Sequence, residues 1–88
     1  MTDSDELLIL IDATSAIKEK RMIAFNGEVD DGSYKFIMSI ADFAHFGVDN
    51  AGLDPIGSVD VITTALTRLI GDKARKNDLL PTTKLSAS

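Results

Sequence analysis

The chain has 88 residues, with 14 acidic and 9 basic side chains, a formal net charge of −5 and no cysteine. This length is typical of one small domain with a modest core, and the lack of cysteine excludes disulfides and thiolate metal sites. Residues 1–60 carry a net charge of −8 and residues 61–88 one of +3. An acidic body of this kind argues against general attraction to nucleic acid or anionic lipid.

The N-terminal part of the chain contains one apolar segment. Residues 7–11 form a continuous, partly β-branched run that predicts a first strand. The run is too short for a signal-peptide core or a membrane span, so we expect a soluble cytoplasmic protein. Residues 12–15 are turn-forming, and residues 17–21 predict a charged connector.

A hairpin is the clearest pattern in the sequence. Asp31-Gly32 is a favoured pair for a two-residue loop, which predicts antiparallel strands at 22–29 and 34–39. In that register Gly27 lies opposite Phe36 and leaves room for the ring. A slip of one residue would move every side chain to the other face, so the alternating pattern specifies the register strongly.

The two faces of the hairpin differ in composition. One face is apolar and predicts the side of the sheet that packs on a helix. The other face is mixed, and there Glu28 is predicted to pair with Lys35 across the ladder. Exposed Ile37 and Met22 on that mixed face would be the centre of any sheet-on-sheet contact.

Two helices are predicted after the hairpin. Ser39 and Asp42 match a loose capping box at the start of a short helix, which Gly47 is placed to end. After a loop at 48–57, Ser58 is predicted to cap a long helix that continues to about residue 76. Its apolar stripe consists of Val59, Ile62, Leu66, Leu69 and Ile70 and ends in the stem of Lys73.

These elements predict an α+β fold. We expect a three-stranded antiparallel sheet in the order β-β-β-α-α, with a short helix and one long C-terminal helix packed on one face. Residues 1–88 would form a single domain with an ordered core at about 7–80, and residues 1–6 and 82–88 would be flexible tails.

The sequence contains no catalytic or ligand-binding constellation. His45 is the only histidine, and Asp42 three positions earlier would give it a partner but no nucleophile. A calcium loop starting at Asp49 fails because Ala51 and Leu53 stand at ligand positions. Glycine pairs with the P-loop interval lack the following Lys-Ser or Lys-Thr. We therefore predict no enzyme activity, no cofactor and no metal.

Direct nucleic-acid binding is not expected either. Several cations lie towards the end of the last helix: Arg68, Lys73, Arg75 and Lys76. The same placement compensates the helix dipole without any ligand. The chain also lacks tryptophan, and its aromatic residues are assigned to the core, so bases would find few stacking partners.

The order of features resembles a family of small bacterial proteins classed as domain of unknown function 1488. The similarity covers residues 7–76: a first strand, a hairpin from 22–25 to 34–39, a helix start at 39–43 and one amphipathic helix at 59–76. This resemblance implies a compact bacterial α+β protein without an established activity, and it assigns no functional residues.

Because catalysis, ligand binding and nucleic-acid binding are not expected, the function that remains is interaction with another protein. We expect a protein partner or self-association as a homodimer, in which the unpaired edge of strand 7–11 or 22–29 adds to a twin. The alternative is an acidic inhibitor from a phage or mobile element that mimics nucleic-acid charge to block a basic site. The candidate partner-binding residues are Glu28, Asp30, Asp31, Asp49 and Asp54.

Overall fold

The computed structural model describes residues 7–87, which form a four-stranded sheet and three helices. The elements are β1 (Ile9–Glu19), β2 (Met22–Val29), β3 (Gly32–Ser39), α1 (Ile40–Ala44), α2 (Pro55–Val61), α3 (Thr63–Arg75) and β4 (Thr82–Leu85). The strand order is β1-β2-β3-β4, with β1, β2 and β3 antiparallel and β4 parallel to β3. The predicted α+β class is confirmed, but the three-stranded antiparallel sheet and the single long helix are wrong. Residues 1–6 and Ser88 lie outside the described residues.

β1 is longer than the strand predicted at 7–11, because it continues through the turn-forming residues 12–15. Its ladder with β2 changes register between Asp12, which lies opposite Asn26, and Ile17, which lies opposite Ala24. The turn-forming residues therefore make a β-bulge inside the strand instead of ending it. The predicted connector at 17–21 consists of the end of β1 and the start of a tight turn, where Lys20 adopts a φ of 59°.

The turn between β2 and β3 lies one residue earlier than predicted. Val29 pairs with Gly32, so Asp30 and Asp31 form the loop, and Asp30 has the left-handed φ of 54°. The start of the chain fixes this choice: the Asp30 amide donates to the carbonyl of Leu8 at 2.8 Å. The Asp30 carboxylate accepts from the Leu8 amide at 3.2 Å.

The earlier turn shifts each cross-strand pair by two positions, which leaves every side chain on its predicted face. Phe25 now lies opposite Phe36, with ring centroids 5.7 Å apart. The predicted Glu28–Lys35 pair is wrong, because Lys35 lies opposite Asn26.

The short helix agrees with the sequence. The Ser39 hydroxyl caps α1 by accepting a hydrogen bond from the Asp42 amide at 3.0 Å. The chain leaves the helical turns at Gly47, whose φ of 82° is readily adopted by glycine. The Ser39 cap and the left-handed conformation of Gly47 are confirmed, although α1 itself ends at Ala44, three residues before Gly47.

The predicted long helix is divided in two. α2 begins earlier than expected, with Pro55 in its first turn and the Asp54 carboxylate accepting from the Gly57 amide at 3.0 Å. Ser58 is therefore not the cap, and it lies buried inside α2. The prediction failed because Asp54 also suits an N-cap and is followed by proline.

The division falls at Ile62, whose φ of −115° lies outside the helical range. The break leaves carbonyl groups of α2 without helical partners. The single proton of the Thr63 hydroxyl is shared between Val59 O at 3.1 Å and Asp60 O at 2.9 Å, and the Ile62 amide also donates to Asp60 O. The apolar stripe survives the break, because α2 and α3 both direct buried residues at the sheet.

The core lies between one face of the sheet and the helices. Its largest members are Ile23, Phe25, Val29, Phe36 and Met38 from the sheet, and Phe43, Val59, Ile62, Leu66 and Ile70 from the helices. β4 completes this layer where a flexible tail was predicted: Leu85 is fully buried, and the Lys35 amide donates to Pro81 O at 2.9 Å. The polar Thr82-Thr83-Lys84 segment becomes a strand because β3 offers it an edge.

Candidate interaction surface

The second face of the sheet carries the candidate site. Side chains alternate along each strand, and those that point away from the core define a surface that we call the open face. Its members are Leu10, Asp12, Ile17, Glu19, Met22, Ala24, Asn26, Glu28, Ser33, Lys35, Ile37, Thr82 and Lys84. The buried apolar side chains of all three helices belong to the cluster on the other side. Within residues 7–87, the open face is therefore left uncovered.

Large apolar side chains lie on this face. Leu10 is 52% exposed and Ile17 is 51% exposed, and Met22 and Ile37 are half-buried beside them. Ala24 is buried on this face although it is not part of the core cluster, because its own neighbours cover it. Leu10 and Ile17 are separated on this face by Asp12, whereas Ile17, Met22 and Ile37 lie in the same or adjoining rows, and an uncovered apolar group of this kind is typical of a contact surface.

A network of hydrogen bonds stabilises the bulge in β1. The Asp12 carboxylate accepts from the amide of Thr14 at 3.2 Å and from its hydroxyl at 2.6 Å. The Ser15 hydroxyl donates to Asp12 O at 2.6 Å and accepts from the Asn26 amide at 2.8 Å. Ser15 thus replaces a ladder partner that the bulge removes. The network stabilises the bulge in the geometry that leaves Asp12 before it and Ile17 after it on the open face.

Charge is distributed unevenly over the open face. The carboxylates of Asp12, Glu19 and Glu28 lie on β1 and β2, whereas the ammonium groups of Lys35 and Lys84 lie on β3 and β4. One pair is formed within the chain, between Lys35 Nζ and Glu19 Oε1 at 3.3 Å. The face is therefore acidic on one side and basic on the other.

An open groove of about 640 Å³ lies at the hairpin end of this surface. Leu10 lines it together with polar side chains, including Asp12, Asn26, Glu28 and Ser33. Two carboxylates beside a leucine suit a chain segment that is partly apolar and partly basic. No group of three or more His, Asp or Glu residues that could hold a metal ion occurs among the described residues.

The predicted acidic residues do not form one patch. Glu28, Asp30 and Asp31 lie at the β2–β3 turn. Asp49 and Asp54 flank a loop at the opposite end of the sheet. This loop contains Gly52, which is close to Ile40 at the end of β3 and to Lys18 near the end of β1. Asp30 and Asp54 also have local structural roles, as the partner of the Leu8 amide and as the cap of α2.

His45 and the cations of the last helix have local surroundings among the described residues: Lys73 and Lys76 line a pocket of about 190 Å³ beside Asp72 and Asp78. His45 is exposed, and its backbone amide donates to Asp42 O at 3.1 Å. On α3, Asp72 pairs with Arg75 at 3.6 Å, a helical i,i+3 contact between exposed side chains.

The sequence identified only part of the open face. Ile37 and Met22 were placed there correctly because they alternate with core residues on the predicted hairpin. Leu10 was missed because the continuous apolar run at 7–11 has no alternation that would assign its faces, and Ile17 was missed because the predicted strand ends at residue 11. The sequence does contain a signal for the longer strand. If residues 20–21 form a turn, the β-branched residue Ile17 lies opposite Ala24.

Comparison with known proteins gives no relative: no family model, curated protein or solved structure matches the chain. The resemblance to the bacterial family of unknown function stays a prediction. None of the described helices is long and apolar enough to cross a membrane.

Proposed function

We propose that this chain is a non-enzymatic protein-interaction protein that binds its partner through the open face of the sheet. The observation that supports this function is the half-exposure of Leu10 and Ile17 on a face that the described helices leave uncovered. A partner that covers these two side chains removes apolar surface from water. Each Å² of apolar surface buried in this way stabilises the complex by about 25 cal/mol.

The face is a better contact surface than the sheet edges considered from the sequence. β2 lies between β1 and β3, so its edge is already paired. β1 is an outer strand, but its bulge between Asp12 and Ile17 interrupts the regular row of backbone groups that another strand would need. β4, at the other edge, has only 4 residues.

We do not propose the alternative of an acidic inhibitor. A mimic of nucleic acid would need its carboxylates in one continuous patch. Here Asp30 and Asp31 lie at one end of the sheet, and Asp49 and Asp54 lie near the other. Nothing in this placement favours that function.

The test compares three forms of the full chain as bait in a lysate of the source organism. The double variant Leu10→Ser and Ile17→Ser removes the two most exposed apolar side chains of the open face without adding charge. The control is Leu53→Ser, because Leu53 is 90% exposed but lies on the loop before α2. We expect the wild type and the control to retain a protein that the double variant loses. Equal retention by all three baits, with circular dichroism showing intact folds, would refute the proposal.

A further inference from the structure

The register places four residues in one row across the open face. Ile17 lies opposite Ala24, Ala24 opposite Ile37, and Ile37 opposite Lys84. We call these four residues the central row. The row begins on β1 with an exposed apolar side chain and ends on β4 with a cation.

Carboxylates flank the apolar end of the central row. Asp12 and Glu19 are the open-face residues of β1 on either side of Ile17. The bulge between Asp12 and Ile17 leaves both residues on the same face of the sheet. Glu19 is partly neutralised by Lys35 within the chain. No open-face ion pair of Lys84 occurs among the described residues.

Two stacked copies of this face can be related by a two-fold axis in two simple ways. An axis parallel to the strands lays β1 of each copy over β4 of the other. An axis across the strands lays β1 over β1. With the axis along the central row, the second arrangement places Asp12 of each copy over Glu19 of the other, which is unfavourable.

We propose that the occupant of the open face is a second copy of this chain, stacked with β1 over β4. This inference rests on the proposed function and names its partner. The ammonium of Lys84 then meets Ile17 of the second copy, between Asp12 and Glu19 of that copy. Ile37 of each copy faces β2 of the other, where the Lys35–Glu19 ion pair lies over the buried Ala24, and opposite charges meet at both rims.

The size of the face predicts the strength of association. Four strands about 4.8 Å apart and the 8 residues of β2, at about 3.4 Å each, give a footprint of about 500 Å² per copy. The total of about 1,000 Å² is at the lower end of specific interfaces. Interfaces of this size are typical of weak, transient complexes, so we expect a reversible dimer.

Single cysteines can test the arrangement, since the natural chain has none. Ile17→Cys and Lys84→Cys change exposed side chains at opposite edges of the sheet. Each variant carries a single thiol, so every covalent link joins two chains. Stacked sheets lie about 10 Å apart, which is too far for a direct disulfide. The two variants are therefore mixed at 200 µM, treated with a short bismaleimide cross-linker and separated on a denaturing gel. The control mixture contains Lys84→Cys and Arg68→Cys, which places the second thiol on an exposed part of α3.

We expect the mixture of Ile17→Cys and Lys84→Cys to form a covalent heterodimer at least tenfold faster than either variant alone or the control mixture. Sedimentation of the wild type should show a concentration-dependent dimer. Faster self-linking of Ile17→Cys would overturn the stacking of β1 over β4. A wild type that stays monomeric at several hundred micromolar would overturn the second copy as partner. If the Leu10→Ser and Ile17→Ser bait still loses a captured protein in that case, the proposed function stands and only this inference fails.

Discussion

Lys35 Nζ lies 3.3 Å from Glu19 Oε1, so an ion pair connects β3 to β1 across the strand between them. Lys35 is level with Asn26 on β2, and Glu19 is level with Met22. The pair therefore passes over Ala24, the residue midway between those two, and helps to explain why Ala24 is buried on an otherwise open face.

The first prediction concerns the energy of this ion pair. Both side chains are more than 40% exposed, so water screens the attraction. A double-mutant cycle with Lys35→Met and Glu19→Gln should give a coupling of about 0.2–1 kcal/mol in urea unfolding. The coupling should shrink in 1 M NaCl. A salt-independent coupling above about 2 kcal/mol would contradict this description.

The second prediction concerns Gly27, which makes room for the Phe36 ring although it lies opposite Tyr34 and not, as predicted, opposite Phe36. A Cβ at this position would lie 3.0 Å from Phe36 Cε2 and 3.0 Å from Leu10 O. Leu10 O is a backbone atom, which cannot move aside as a flexible side chain can. Gly27→Ala should lower the free energy of unfolding by about 1–3 kcal/mol. Gly52→Ala is the matched control, because its nearest neighbour would lie at an ordinary 3.4 Å. Equal stability of the two variants would show that this close packing is absent in solution.

The third prediction concerns Ser58, whose hydroxyl is buried and has no hydrogen-bond partner among the described residues. Ser58→Ala removes a buried polar group and improves helix propensity, so it should raise the free energy of unfolding by about 1 kcal/mol. Ser15→Ala should lower it by about 1 kcal/mol, because the Ser15 hydroxyl makes two hydrogen bonds in the bulge. Thermal unfolding of the two variants tests both expectations. A destabilised Ser58→Ala protein would contradict the prediction.

The fourth prediction concerns the strand that the sequence did not reveal. Leu85 is fully buried in the core through β4, whereas Leu80 nearby is 61% exposed. Leu85→Ala should lower the free energy of unfolding by about 2–4 kcal/mol. Leu80→Ala should stay within about 0.5 kcal/mol of the wild type. If Leu85→Ala were equally harmless, residues 82–85 would behave as the flexible end predicted from the sequence.

Several local features could be predicted because their causes lie within a few residues. Ser39 caps α1 because its hydroxyl reaches the Asp42 amide three positions ahead. Gly47 has a positive φ because glycine lacks the Cβ that disfavours it. The faces of β2 and β3 follow from strict alternation, and that is why Met22 and Ile37 were placed on the candidate surface.

Other features depend on partners far away in the sequence. Asp30-Asp31 forms the turn instead of Asp31-Gly32 because Leu8 binds both the amide and the carboxylate of Asp30. The same reason explains why Ile17 was missed, since only its pairing with Ala24 makes residues beyond the bulge part of β1.

The sequence by itself determined the α+β class, the two faces of the hairpin and the apolar stripe of the helices, because each is a periodic pattern that the backbone geometry imposes. The tertiary structure alone decided the turn position, the division of the long helix and the fourth strand. Those choices are made by hydrogen bonds and contacts between segments that meet only when the chain is folded. The open face is the consequence of both: alternation puts apolar residues there, and the packing of all three helices on the other side leaves them uncovered.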